Sequence, residues 1–165
     1  MSFDYQQDIA QLTEQMRPAS ILVLGGECSI FNHYLNVHPF SRLVCVSHGD
    51  YIASVDALGR VDLAYVSGVL ERMDKHDAGV LLSKLRDVHA QRVVVAVHLG
   101  RCDGQRSTWS EQELLAFGMS RIGRYANADN EIQVFTFDLH DYKPTPDWLN
   151  SHGWAHPELF NKHWW

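Results

Sequence analysis

The chain has 165 residues, with hydrophobic residues at 45% and charged ones at 21%, a balance that supports a packed core and excludes disorder. A net charge of −6 argues against a nucleic-acid or anionic-membrane surface, because those contacts need clustered lysine and arginine. No apolar run approaches membrane-spanning length, and residues 1–8 lack the basic and apolar regions of a signal peptide, so a cytoplasmic protein is expected. The three cysteines, Cys28, Cys45 and Cys102, show no metal-like spacing with one another, and reduced thiols are the simplest expectation.

In chain order, residues 4–16 read as a helix with Ile9, Leu12 and Met16 on one face, and Pro18 marks its exit. Ile21, Leu22, Val23 and Leu24 form a continuous apolar run, as a buried parallel strand requires. Gly25 and Gly26 break it, and a helix over 28–37 follows, with Phe31, Tyr34 and Leu35 inward. Residues 42–47 read as a second strand. Asp50 then caps a short helix that Gly59 stops. A third strand covers 61–67. Asp74, with Asp77 three residues on, opens an amphipathic helix to about His89, with Leu81, Leu85 and Val88 on one stripe. A buried strand spans 92–97.

From there the alternation stops. Residues 99–108 form a polar loop, and Ser110 with Glu113 makes a capping box for a short helix ended by Gly118. Residues 119–125 and 131–139 read as two strands joined by the turn residues Asn127, Asp129 and Asn130, hence an antiparallel hairpin. Helices and strands in this order predict an α/β three-layer αβα sandwich with a Rossmann-like, mostly parallel sheet and a C-terminal antiparallel hairpin. The whole of 1–165 reads as one domain, with 142–165 an extension holding Trp148, Trp154, Trp164 and Trp165. Tryptophan at this density suits a tail folded over its own sheet or a protein-docking surface.

The element order, with Gly25-Gly26-Glu27-Cys28-Ser29 after the first strand and Val61-Asp62-Leu63 running on to Val69-Leu70-Glu71-Arg72, resembles the class I S-adenosylmethionine-dependent methyltransferase fold. The chain is also similar to a small bacterial methyltransferase-like group sharing a Pro146-to-Asn150 tail motif. The resemblance implies S-adenosylmethionine as cofactor, and a cofactor-binding set of Gly25, Gly26, Glu27, Ser29, Ser47, Asp50, Ser67 and Gly68. It names no catalytic residue. The departures are specific. The acid near the end of the family's first strand falls on Val23. Glu27 and Ser29 replace two loop glycines, and Ser47 stands where an acid binds ribose hydroxyls. Only about fourteen residues separate the strand at Val46 from the strand at Val61. One βα unit is therefore shortened or lost, and two registers stay open for which one. Two functions follow: a methyltransferase-like enzyme binding a small molecule, or a non-catalytic binding or assembly module on the same scaffold.

Three further groups carry chemistry. Cys28 after the turn, with Glu27 beside it and His98 as base, has the makings of a nucleophile, against the alternative of a small residue that fits. The pairs His152 with His156, and His98 with Cys102, have metal-ligand spacing but no obvious third ligand, so no metal site is expected. Glu71 reads as a base or, equally, as a surface ion-pair partner.

Overall fold

A computed structural model describes residues 5–99, 104–126 and 131–142. The hairpin turn at 127–130, Cys102 and the tryptophan-bearing tail therefore lie outside the described residues. The order is α1 (Tyr5–Met16), β1 (Ser20–Leu24), a 3-10 turn (Cys28–Phe31), α2 (Asn32–Val37), β2 (Arg42–Val46), α3 (Tyr51–Asp56) and β3 (Val61–Ser67). A second 3-10 turn (Leu70–Arg72), α4 (Lys75–Lys84), β4 (Ala90–His98), α5 (Glu111–Ala116), β5 (Ser120–Ala126), β6 (Glu131–Asp138) and α6 (Leu139–Tyr142) follow.

Six strands form one sheet in the order β2-β1-β3-β4-β6-β5. The pairs β1–β2, β1–β3 and β3–β4 are parallel, whereas β4–β6 and β5–β6 are antiparallel. The apolar run of β1 is explained by its place between two strands and two helical layers: Ile21, Leu22, Val23 and Leu24 are all buried. Alternation along it sends Ile21 and Val23 to one core, with Ile9, Phe31 and Tyr34 from α1 and the α2 segment. Leu22 and Leu24 join the other core, with Val55 of α3, Leu81 of α4 and Leu114 of α5. β1→β2 and β2→β3 thus cross on opposite faces, as right-handed crossovers require when the direction of travel reverses. The reversal leaves a switch point between the C-terminal ends of β1 and β3, the usual ligand crevice of such sheets.

The expected shortfall sits at β2. This strand lies at the sheet edge, and the helix after it, α3, already packs on the α4 side. One strand stands where the resemblance implies two.

Other elements depart from their sequence reading in instructive ways. The helix after the glycine turn begins as a 3-10 turn before becoming α-helical at Asn32. Asp50 caps α3 as expected, its Oδ1 accepting from the Ala53 N–H at 3.1 Å. Asp74 occupies the N-cap of α4 but makes no side-chain cap bond. The α4 stripe ends early because the chain widens to a π-turn over Leu85–His89, which keeps Leu85 buried and turns Val88 out to 59% exposure. In β6, Ile132 and Val134 face one core while Phe135 and Phe137 face the other.

Asp62, the acid opening β3, has a structural role. Its Oδ2 accepts from the Ala19 and Ser20 N–H groups at 2.7 and 3.2 Å, and its own N–H donates to Ser20 Oγ at 3.0 Å. The clamp sets the start of β1 against β3. The capping box at α5 is present in both directions, and Lys75 Nζ lies 2.9 Å from Glu113 Oε1 and 3.8 Å from the Trp109 ring centroid.

Asp62→Ala leaves two strand-start N–H groups without their acceptor, and urea denaturation is expected to show a loss of about 1–3 kcal/mol. The hydrogen bond from Lys75 holds the Glu113 carboxyl below its ordinary pKa. Its stabilisation is therefore present above the unfolded-state pKa and lost as pH falls through the lowered folded value. The acid limb of a stability-against-pH curve should flatten in Lys75→Met relative to the parent.

Candidate functional site

The switch point brings Gly25, Gly26, Ser67 and Gly68 together. Gly25 has φ +72°, and its N–H donates to the Val46 carbonyl at 2.9 Å, so the turn leaves β1 leaning on β2. A Cβ at Gly25 would stand 2.3 Å from Val69 Cγ2 and 2.8 Å from the Ser67 carbonyl oxygen. One at Gly26 would stand 2.8 Å from Tyr65 Cε1 and 3.1 Å from Ser67 Cβ. Both glycines are thus required by close approach of the chain's own β3 exit. Tyr65 beneath them is 1% exposed and packs edge-on against Phe31, ring centroids 5.7 Å apart. Burial pushes its phenol pKa well up, despite a hydrogen bond with Ser67 that acts the other way. It stays a neutral packing group.

The remaining predicted positions scatter. Glu27 and Ser29 are exposed, and Ser29 Oγ lies 3.4 Å from Glu27 Oε2. Val23 is fully buried in the core. Ser47 is exposed, and its carbonyl accepts the Tyr51 hydroxyl at 2.9 Å. Tyr51 Oη would also lie 3.6 Å from a Cβ at Gly25, so this phenol roofs the space between the ends of β1 and β2. An acid-free first strand, an acid-free second strand and glycines packed on protein give a methionine-bearing cofactor no seat in the familiar place. The residues present do not fit it there.

Open space lies one loop away. A cavity of about 710 Å³ is lined by Gly49, Asp50, Tyr51 and Ile52 at the start of α3, by Arg72, Met73, Asp74 and Asp77 at the start of α4, and by Gly104 and Arg106. Of the predicted set only Asp50 lines it. Gly49 and Gly104 have φ +101° and +81° and meet nothing within 4 Å where a Cβ would stand, the reverse of Gly25 and Gly26. Tyr51, Ile52 and Met73 offer flat and apolar contact, and the three aspartates and two arginines offer polar contact of both signs. Arg72 and Arg106 form no ion pair among the described residues. Sequence reasoning missed Tyr51, Arg72 and Arg106; the signal for the arginines was only their place in polar loops after two parallel strands.

Glu71 corrects its surface reading. It is 4% exposed; its Oε1 accepts the His98 N–H at 2.6 Å, and its carbonyl accepts the Arg106 and Ser107 N–H groups at 2.8 and 3.2 Å. Ser107 Oγ and Trp109 Nε1 both donate to the neighbouring Leu70 carbonyl. Glu71 thereby ties the ends of β3 and β4 to the segment that presents Gly104 and Arg106. The cysteines also depart from expectation: Cys28 and Cys45 form a disulfide, Cα atoms 6.5 Å apart. The β1–β2 register places Cys45 opposite Val23, on the face that carries the Cys28 turn. A nucleophilic Cys28 with His98 as base is therefore replaced by a cross-link. His98 Nδ1 is buried with no partner among the described residues.

Two substitutions test this geometry. Gly25→Ala forces a side chain into Val69 at a left-handed φ, and a loss of about 1–3 kcal/mol is expected. Glu71→Ala strands the part-buried His98 N–H at a similar cost of about 1–3 kcal/mol. Amide exchange should then rise at 104–109 while the β1–β3 clamp at Asp62 stays protected.

Comparison with known proteins agrees with the topology. The methyltransferase domain of bacterial CtHen1 superposes with a TM-score of 0.56 at 15% identity, covering 81% of this chain and 98% of that one. Magnesium protoporphyrin IX methyltransferase (ChlM) from Synechocystis PCC 6803, solved with bound SAH, gives 0.55 at 9% identity, covering 81% of each chain. Mitomycin 7-O-methyltransferase MmcR gives 0.52 at 14% identity, covering 79% of this chain and 53% of its own. No curated protein matches the sequence. A model described as "Family of unknown function (DUF6231)" matches residues 4–165, and the chain belongs to that family, with a class I methyltransferase-like fold.

Proposed function

We infer that this protein is a small-molecule-binding member of the methyltransferase fold. Its ligand is an adenosine-bearing molecule, S-adenosylmethionine or a relative, held in the cavity between the starts of α3 and α4. The observation carrying this reading is that cavity. At about 710 Å³ it lies within the usual range for a ligand site, roughly 300–1,000 Å³. Its neighbours are the strand ends where open α/β sheets take their ligands. Tyr51, Ile52 and Met73 suit the faces of a purine ring. Asp50 spends one carboxylate oxygen on its own helix and lies near the β2 end, the region where the resemblance puts a ribose-binding acid. Arg72 and Arg106 suit an anionic group.

The second reading is a non-catalytic module that kept the scaffold, and the filled glycine turn favours it. Val69, Tyr65 and Ser67 occupy the sides of Gly25 and Gly26, and neither Val23 nor Ser47 offers a carboxylate. We assign no methyl-transfer step to any side chain here.

Thermal shift and calorimetry with S-adenosylmethionine, S-adenosylhomocysteine and adenosine test both readings. Saturation at a hundredfold over Kd should stabilise the fold by about 2.7 kcal/mol. Arg72→Ala and Tyr51→Ala should each weaken binding by tenfold or more, and Glu27→Gln should leave it unchanged. Absence of any shift at millimolar nucleoside would leave the non-catalytic reading standing.

A further inference from the structure

We propose that Cys28 and Cys45 form a reversible thiol–disulfide site that locks the glycine turn onto the edge strand when oxidised and releases it when reduced. The inference goes beyond the binding reading and holds whichever ligand the cavity takes.

The cross-link joins the turn after β1 to the edge strand β2. Cys28 opens the 3-10 turn directly after Gly25, Gly26 and Glu27. Cys45 lies next to Val46, whose carbonyl accepts the Gly25 N–H, and two residues before the carbonyl that holds Tyr51. In the oxidised chain two ties therefore connect the glycine turn to β2, one covalent and one hydrogen bond. Two features make the covalent one exchangeable. Cys45 is exposed and Cys28 is half-buried, and exposed disulfides are the labile class. Cys45 also lies on β2, which pairs with β1 alone, so losing the tie disturbs one edge and leaves the interior strands in place.

The exchange balances with a low-molecular-weight monothiol as co-reactant. Its thiolate attacks Cys45 Sγ, the Cys28–Cys45 bond breaks, and Cys28 leaves as a thiolate that takes up a proton. A second monothiol resolves the mixed disulfide on Cys45. The protein gains two thiols and two electrons, and the monothiol is oxidised to its own disulfide. The reverse reaction with a low-molecular-weight disulfide restores the bridge.

The test uses the full chain with glutathione as the probe. Thiol titration should count one free thiol before treatment and three after it, with a mass gain of two hydrogens. Hydrogen exchange should then speed by tenfold or more at the amides of 25–31 and 42–46, with β3 and β4 unchanged. The Cys28→Ser/Cys45→Ser double variant should show the fast pattern without treatment and ignore glutathione. The proposal is overturned by a bridge that resists millimolar glutathione, by three free thiols that no disulfide reagent can close, or by reduction that leaves exchange at 25–31 unchanged. A double variant that exchanges like the oxidised parent would count equally against it.

Discussion

The placement of β1 between two parallel partners constrains everything else in this molecule. Paired with β2 on one side and β3 on the other, it must be apolar on both faces. Its successor must also turn sharply over the sheet edge. Gly25 makes that turn at a left-handed φ, which an ordinary side chain adopts only at a cost. The same turn brings its backbone against the exit of β3. A junction that in many α/β proteins is spaced for a ligand is here closed by Val69, Ser67 and Tyr65. Here the need for glycine comes from chain packing.

Closure at the switch point and opening beside it are linked by one segment. α3 begins at Tyr51, soon after β2 ends at Val46, and the Tyr51 hydroxyl donates back to the Ser47 carbonyl, so its first turn stands at the end of β2. Tyr51 covers the β1–β2 side of that turn and Gly49 leaves the other side open. Across the gap, the start of α4 and the segment at Gly104 form the facing wall, fixed by the bond between Glu71 and the His98 backbone. A buried carboxylate with one accepting oxygen satisfied by backbone is a costly group to retain. Its return is the fixed relation between the ends of two neighbouring strands and the loop that completes the cavity.

The disulfide belongs to the same corner. It binds β2, one of the two edge strands, to the turn after β1. An edge strand with its outer N–H and C=O groups unpaired is the weakest part of a sheet, and a cross-link there acts on the element with most freedom to respond. The three features — packed turn, displaced cavity and edge cross-link — all follow from one strand standing where the resemblance implies two.

Much of this architecture was legible in residue order. The run from Ile21 to Leu24, the apolar strand at 92–97 and the Ser110–Glu113 box specify their elements locally, because burial on both faces and capping each leave a direct mark in sequence. The parallel sheet with its antiparallel end followed from helix–strand alternation giving way to paired strands. What residue types could not reveal were distances between segments far apart in the chain. Glu71 read equally as a base or a surface ion-pair partner because its acceptor role depends on the His98 N–H, 27 residues away. Cys28 and Cys45 read as free thiols because only the β1–β2 register sets them on one face. Gly25 and Gly26 read equally as a ligand turn or a bare strand-to-helix turn, because the atoms beside them belong to Tyr65, Ser67 and Val69, far along the chain. Local propensity and periodicity thus determined the elements and their order, and tertiary packing alone decided which polar groups are buried, which glycines face solvent and where the cavity lies, since those depend on contacts that the linear pattern does not encode.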